Sequence, residues 1–317
     1  MLGDAPDPVR TVFETVAASA PEIRAGLPGR RVKTDAENES GERVMAADLW
    51  ADELLAERLG AVEGVTQYAS EEREDVVNTG AEPGTVGGGY AVAVDPLDGS
   101  SNLQSNNPMG TVVGVYDAAL PGPDRDLPRA GRHLVAAGFV LYGPITTLVV
   151  AHDGDVREYV VEKREGPSAS AGASEDPGEP RAGELRDVGA VVLPEDPVVY
   201  GFGGRVPDWP DDFAAYVEAV ERELKLRYGG AMIADVSQVL TYGGVFAYPG
   251  LRSSPEGKLR LLFEGAPIGY LLETAGGASS DGERSLLEVD AEAVHQRVPV
   301  HVGNEDLIER LEAALAG

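Results

Sequence analysis

The chain contains no cysteine, which excludes disulfides, thiolate nucleophiles and cysteine-ligated metals. Lysine is scarce as well: Lys33, Lys163, Lys225 and Lys258 are the full set, and arginine supplies the rest of the positive charge. Against 26 basic residues stand 54 acidic ones, a formal net charge of −28. A surface of that sign repels a nucleic-acid backbone. Long apolar runs are missing too. The longest apolar region, Phe139–Ala151, is broken by Gly143 and Pro144 and falls short of the roughly 20 residues a membrane span needs. The opening Met1-Leu2-Gly3-Asp4-Ala5-Pro6 is polar and proline-broken, unlike a secretory signal. The expectation is a soluble cytoplasmic protein with no membrane and no nucleic-acid partner.

What is present suffices for a folded globule. Hydrophobic residues make up 43% of 317, enough for one large domain or two mid-sized ones, each with a core. The acidic residues are spread along the whole chain rather than gathered in a tail. Such a surface repels itself at ordinary ionic strength. At molar salt the screening length falls to about 3 Å and the repulsion largely disappears. The composition therefore points to the cytoplasm of an extreme halophile.

Apolar spacing predicts a helix over 9–27 and another over 42–59, with a polar segment 33–41 between them. Period-two runs predict strands at 91–94, 111–116, 133–141, 146–151 and 156–161. Residues 165–186, rich in Gly, Ser, Ala, Pro and Glu, read as an exposed linker. Beyond it, strands are expected at 190–193, 198–202 and 259–263, and helices at 211–226 and 267–275. Two α/β units follow, 1–185 and 186–317.

One segment carries most of the chemistry. The strand-like run Tyr90–Val94 leads into Asp95-Pro96-Leu97-Asp98-Gly99-Ser100-Ser101-Asn102. Two carboxylates separated by a proline suit a hard cation, and the small polar run after them can turn backbone N–H groups toward an anion. Acids elsewhere could converge on the same place: Glu71-Glu72 after the turn-like Val65–Ala69, and Glu264 after the apolar run 259–263. Two divalent ions about 3.5–4 Å apart could clamp an in-line phosphoryl displacement. These parts belong to a metal-dependent phosphatase.

Glu71-Glu72, Asp95–Asn102 and the block Arg227–Gly277, with its run Ser254-Pro255-Glu256-Gly257-Lys258-Leu259-Arg260-Leu261-Leu262-Phe263-Glu264, resemble the class I fructose-1,6-bisphosphatases. The tail His295–Val300 is similar to that family's as well. The resemblance implies a mixed α and β fold, the layered αβαβα sandwich of the sugar-phosphatase superfamily. It assigns an N-terminal unit to the metal and the cleaved phosphate, and a C-terminal unit to the sugar and second phosphate. Glu71, Glu72, Asp95, Asp98, Glu264 and the Leu97 carbonyl are implied metal ligands, for two or more magnesium ions, or manganese in their place. Asp48 and Glu72 are implied to activate the attacking water, with Asp98 also catalytic. Gly99, Ser100, Ser101 and Asn102 would hold the cleaved phosphate, and Asp98 and Met232 the sugar. Tyr228, Tyr248 and Lys258 would bind the retained phosphate. Arg227 would reach in from a neighbouring subunit, which implies a dimer or tetramer.

The chain also departs from the family pattern. Glu42 and Met45 stand where Asp and Lys are usual, and Gly89 where Lys is usual. Tyr200–Arg205 offers glycine where an asparagine normally meets the retained phosphate, leaving backbone amides or Arg205 to replace it. The family's nucleotide-binding turn is missing, so AMP is not expected to inhibit through that site. His133, His152, His295 and His301 are expected in structural or surface roles. The leading expectation is hydrolysis of fructose 1,6-bisphosphate in gluconeogenesis, by metal-activated water rather than a serine nucleophile. Sedoheptulose-1,7-bisphosphatase or an inositol-monophosphatase-like enzyme is the alternative, and a non-catalytic sugar-phosphate sensor is a third. The charge itself makes a prediction: the melting temperature should rise as KCl goes from about 0.1 M to about 1 M. A flat or falling melting temperature would mean that self-repulsion does not limit stability.

Overall fold

The structure is a computed structural model that describes residues 3, 5–37, 43–80, 89–118, 127, 129–163 and 183–317. Helix α1 (Asp7–Gly26) opens with Pro8 in its first turn, where a missing N–H costs nothing. Its Val9, Val12, Phe13, Val16 and Ile23 recur at helical spacing and are all buried. A ribbon of β1 (Lys33–Glu37) and β2 (Arg43–Met45) then leads into α2 (Ala46–Gly60). Next come β3 (Val65–Ser70), β4 (Val77–Asn78), β5 (Tyr90–Asp98), the short α3 (Asn102–Ser105), β6 (Met109–Asp117), β7 (Leu134–Tyr142), β8 (Thr146–His152), β9 (Asp155–Lys163) and β10 (Gly183–Ala190). These strands form one sheet in the order β10-β9-β8-β7-β6-β5-β3-β4. Every pair is antiparallel except β3 with β5.

The second half carries β11 (Val199–Phe202), α4 (Asp211–Val220), β12 (Lys225–Leu226), α5 (Met232–Tyr242), β13 (Gly244–Tyr248), β14 (Leu259–Arg260), α6 (Ala266–Thr274), β15 (Ala278–Ser280), β16 (Arg297–Val298), β17 (Val300–Gly303) and α7 (Glu305–Leu315). Five of the strands make a sheet in the order β12-β11-β13-β17-β15. The layers run α1/α2, eight-stranded sheet, α5/α6, five-stranded sheet, α4/α7, which is the expected αβαβα sandwich. Strand alternation builds it. Val92 and Val94 of β5 pack with α1 and α2, while Ala91 and Ala93 face the α5/α6 layer. Among the described residues no helix is long and apolar enough to cross a membrane.

Several local expectations are corrected. Val65–Ala69 is not a turn but most of β3, because its backbone pairs with both β4 and β5. Residues 191–193 are not a strand: Val191 N–H donates to the Val156 carbonyl and Leu193 N–H to that of Ala275, so the segment bridges from the first sheet to the second unit. The helix expected over 211–226 stops at Val220, since Lys225 N–H is drawn to the Val198 carbonyl and β12 pairs with β11. The second helix starts at Ala46 rather than 42, with 43–45 taken up in the ribbon and Glu42 outside the described residues. Most of the expected linker also lies outside them, and its end, 183–186, belongs to β10. The boundary near 185 therefore falls inside a strand of the first sheet.

Phe13 is completely buried against the large sheet, where a side chain at Gly138 would come within 3.0 Å of its ring. Phe13→Ala should cost about 3–5 kcal/mol, read as a lower midpoint of urea unfolding at fixed molar KCl. A loss near zero would mean that this layer does not hold the fold together.

Candidate active site

β3 and β5 run parallel, so their carboxyl ends finish side by side. Glu71 N–H donates to the Val94 carbonyl at 3.1 Å, which sets Glu71 and Glu72 beside Asp95. The Glu72 N–H is held by Ser70 Oγ at 3.2 Å. Past Val94 the chain turns: Asp95 Oδ1 accepts the Leu97 N–H at 3.0 Å, and the Leu97 carbonyl accepts the Ser100 N–H at 3.1 Å. Asp48 reaches the same place from the first turn of α2, where its Oδ2 accepts the Met45 N–H at 3.0 Å. Its other oxygen is buried with no hydrogen-bond partner among the described residues.

Asp98 faces the second unit. Its Oδ1 accepts the Met232 N–H at 3.3 Å and its Oδ2 the Ile233 N–H at 2.9 Å, so one carboxylate caps the positive end of α5. The following Gly99 has a φ of +73°, and a Cβ there would lie 2.2 Å from that of Ala231. Only glycine fits this approach. Glu264 was expected at the end of a strand; it sits instead in a π-helical turn, Leu261–Gly265. There the Arg260 N–H donates to Glu264 Oε2 at 2.6 Å, while the buried Arg260 guanidinium pairs with Glu71.

The electrostatics follow from crowding like charges in a dry place. Asp95, Asp98 and Glu264 are buried and each brings one oxygen within 4.8 Å of the others. Burial, then the charges of Glu71 and Glu264, push Asp95 well above the usual carboxylate range, and burial with Glu71 does the same to Glu264. Burial lifts Asp98 to about 7 against the pull of the α5 amides, and Asp48 to about 7 against that of Met45. Glu72 is raised to about 8 by burial and then by Asp48 and Glu71. A buried, anionic, all-oxygen donor set fits a hard divalent cation such as magnesium or manganese.

These residues line a cavity of about 220 Å³ together with Gly99, Ser100 and Ser101, and with Tyr228, Met232, Tyr248 and Lys258. The Lys258 ammonium lies 5.9 Å from the Tyr248 ring centroid. Burial, then Tyr248, raises the Tyr228 hydroxyl to about 12, so it stays a proton donor at neutral pH. Two expected residues are not in the wall. The Asn102 amide is taken up by the Pro108 and Gly229 carbonyls, at 2.8 and 2.9 Å. Arg227 is exposed, its Nη1 donating to the Leu226 carbonyl at 3.4 Å.

Two family models match the chain, the fructose-1-6-bisphosphatase N-terminal domain over residues 11–169 and its C-terminal domain over 193–316. The chain belongs to the class 1 fructose-1,6-bisphosphatases. It is 55% identical over 309 residues to the fructose-1,6-bisphosphatase class 1 of Halobacterium salinarum, covering 98% of both chains. That of Natronomonas pharaonis is also 55% identical, over 98% of this chain and 99% of the relative. Among solved structures, Leishmania major fructose-1,6-bisphosphatase in its holo form aligns with a TM-score of 0.83 at 25% identity, over 99% of this chain and 96% of that one.

Against the fructose-1,6-bisphosphatase pattern, the departures acquire physical reasons. A side chain at Gly89 would meet Thr66 at 2.6 Å, so a lysine does not fit there. A Cβ at Gly203 would lie 2.2 Å from the Tyr248 ring, so an asparagine there would displace Tyr248, and Arg205 does not line the cavity. Met45 is buried with its sulfur 3.8 Å from Gln104 Nε2. Of the four histidines none is in the wall. His301, for example, is buried with Nδ1 at the Ser280 carbonyl. Three charged wall residues were not anticipated: Asp235, Arg260 and Arg297. Asp235, raised to about 6 by burial, accepts the Gly229 N–H at 2.7 Å. A lone charge inside the apolar run Leu259–Phe263 was the available signal for Arg260.

Carboxyls whose folded pKa is raised contribute stability fully at low pH and lose it as pH rises through the folded value. With divalent ions chelated, the melting temperature should therefore fall between about pH 4, where these carboxyls titrate in the unfolded chain, and about pH 7 to 8, where Asp48, Asp98 and Glu72 titrate in the fold, and level off above that. Added magnesium should flatten that slope. A chelated protein whose melting temperature does not fall over this range would overturn the assignment of these carboxyls as a strained anionic cluster.

Proposed function

We propose that this chain hydrolyses the 1-phosphate of fructose 1,6-bisphosphate, releasing fructose 6-phosphate and inorganic phosphate, in cytoplasmic gluconeogenesis at high salt. One observation carries the reading: the carboxylate cluster lines the same cavity as Tyr228, Tyr248 and Lys258. A substrate with two phosphates needs both, one end for cleavage and one for anchoring.

Family membership implies a divalent-metal requirement. Our finer reading is two or more magnesium ions, or manganese, held by Glu71, Glu72, Asp95, the Leu97 carbonyl, Asp98 and Glu264. When bound, such ions would supply positive charge against the phosphoryl group and lower the pKa of water beside it. The chain's own groups do the rest. The Gly99–Ser101 amides and hydroxyls orient the phosphate to be cleaved, and Asp48 with Glu72 takes the proton from the attacking water. Met232 packs against the sugar. Two phenolic hydroxyls and an ammonium hold the retained phosphate through charge-assisted bonds. Arg227, exposed and outside its own cavity, is available to a neighbouring subunit, and we propose a homodimer or homotetramer. We divide the chain after Ala190, where the first sheet ends.

The test is phosphate release at molar KCl with magnesium from fructose 1,6-bisphosphate, beside sedoheptulose 1,7-bisphosphate and inositol 1-phosphate. The fructose substrate should be preferred, and Asp98→Ala should lower its turnover at least about 100-fold. Lys258→Ala should raise KM about tenfold or more with a smaller effect on kcat. Equal or better turnover of inositol phosphate would mean that the tyrosines and Lys258 form no second phosphate site.

A further inference from the structure

The acids assigned to the metal and the attacking water are held in different ways. Asp48, Asp95, Asp98 and Glu264 accept backbone amides, and Glu71 pairs with Arg260. Glu72 is the exception. Among the described residues its side chain has no hydrogen-bond or ion-pair partner, and only its N–H is engaged, by Ser70 Oγ. The place of its carboxylate therefore depends on the backbone of its turn and on whatever holds that turn.

The turn Ser70-Glu71-Glu72-Arg73 closes on itself, the Arg73 N–H donating to the Ser70 carbonyl at 3.1 Å. Its far end is tied to α2. Arg73 Nε lies 2.7 Å from Asp52 Oδ2, and the guanidinium carbon 5.9 Å from the Tyr68 ring centroid. Asp52 is 4% exposed, and its other oxygen accepts the buried Tyr68 hydroxyl at 3.0 Å. A buried carboxylate engaged through both oxygens is costly to disturb, which makes this pair a fixed point. From the other side His295 Nε2 donates to the Arg73 carbonyl at 2.8 Å. The helix gives the pair its consequence. Asp52 follows Asp48 by four residues in α2, so both lie on one face, a turn apart. Arg73 is the neighbour of Glu72. The tie between Asp52 and Arg73 thus fixes the helix that carries Asp48 against the turn that carries Glu72.

We infer that Asp52 and Arg73 are positioning residues, whose ion pair holds the Glu72 carboxylate in the metal cluster and opposite Asp48. This rests on Glu72 being a metal ligand, and the test separates the two. Manganese alone, without substrate, is titrated calorimetrically into the full chain at molar KCl. Arg73→Gln and Asp52→Asn should each bind it at least about tenfold more weakly than the wild type. Asp52→Asn/Arg73→Gln should bind no more weakly than the single variants, because one tie can be lost only once. Arg73→Lys, which can still pair, should lie between Arg73→Gln and the wild type. The direction of the shifts rules out simple charge. Asp52 is near enough for its charge to act on Glu72. Acting through space alone, loss of that anion would weaken manganese binding, and loss of the Arg73 cation would tighten it. Opposite shifts in the two single variants would therefore overturn the inference. So would variants that melt lower but bind manganese like the wild type, since the pair would then serve only the fold. If Arg73→Gln does not fold, the double variant, which leaves no buried charge unpaired, decides between these outcomes. Binding like the wild type's in Glu72→Gln would overturn the assignment of Glu72 as a ligand, and the inference with it.

Discussion

The rest of the molecule is organised around a set of carboxylates that cannot all be ionised without help. Asp95, Asp98 and Glu264 are buried within reach of one another, and Glu71 and Glu72 border them half-buried. The buried guanidinium of Arg260 pairs with Glu71 and cannot balance the whole set. Such a cluster persists only when the surrounding structure over-determines it, because every carboxylate gains by separating from the others. The scaffold supplies that constraint through backbone. Asp95 is tied to the Leu97 N–H, Asp98 to α5 and Glu264 to the Arg260 N–H. Each acid is fixed by an amide, not by a counter-charge, so the collective demand for a cation stays unmet by the protein.

Those same ties join the two halves of the chain. Asp98 lies at the end of a first-unit strand and caps a second-unit helix; Gly99 lets the two backbones approach; the Asn102 amide bonds to the Gly229 carbonyl. The junction is therefore polar and directional at the site, and apolar between the sheets, where α5 and α6 fill the middle layer. A substrate lying in the cavity touches both units, and its two ends meet chemistry from different parts of the sequence. Of the residues lining the cavity, Asp48, Glu71, Glu72, Asp95 and Asp98 come from the first unit, and Tyr228, Tyr248, Lys258 and Glu264 from the second.

How much of this could be read from the chain depended on whether the information was local. Asp95–Asn102 was legible because proline, glycine and paired acids within eight residues constrain the backbone whatever surrounds them. Glu71 and Glu264 were legible only in conjunction with that segment, since 54 acids make any single one unremarkable. Arg260 escaped notice because its importance lies in a partner far along the chain, Glu71. The π-helical turn at Leu261–Gly265 was missed for another reason: a short apolar run has no periodicity with which to tell strand from buried helix. Val65–Ala69 was misread for lack of its neighbours, which supply the pairing that makes it a strand.

One residue type does two opposite jobs here. On the surface, acids are solvated, tolerated through screening, and interchangeable. In the cavity they are desolvated, mutually repelling and individually held. At molar salt only the second group is costly to the fold, and its cost is local to the site that a cation would relieve. Salt and divalent metal thus act on separate acid populations: screening reaches the first within a Debye length, while the buried cluster is hardly screened at all. An acidic surface can therefore be tuned to its ionic environment without disturbing the buried cluster. The two populations meet only where an arginine or lysine must stay free of both, as Lys258 does at the cavity mouth, exposed and without an acid partner among the described residues.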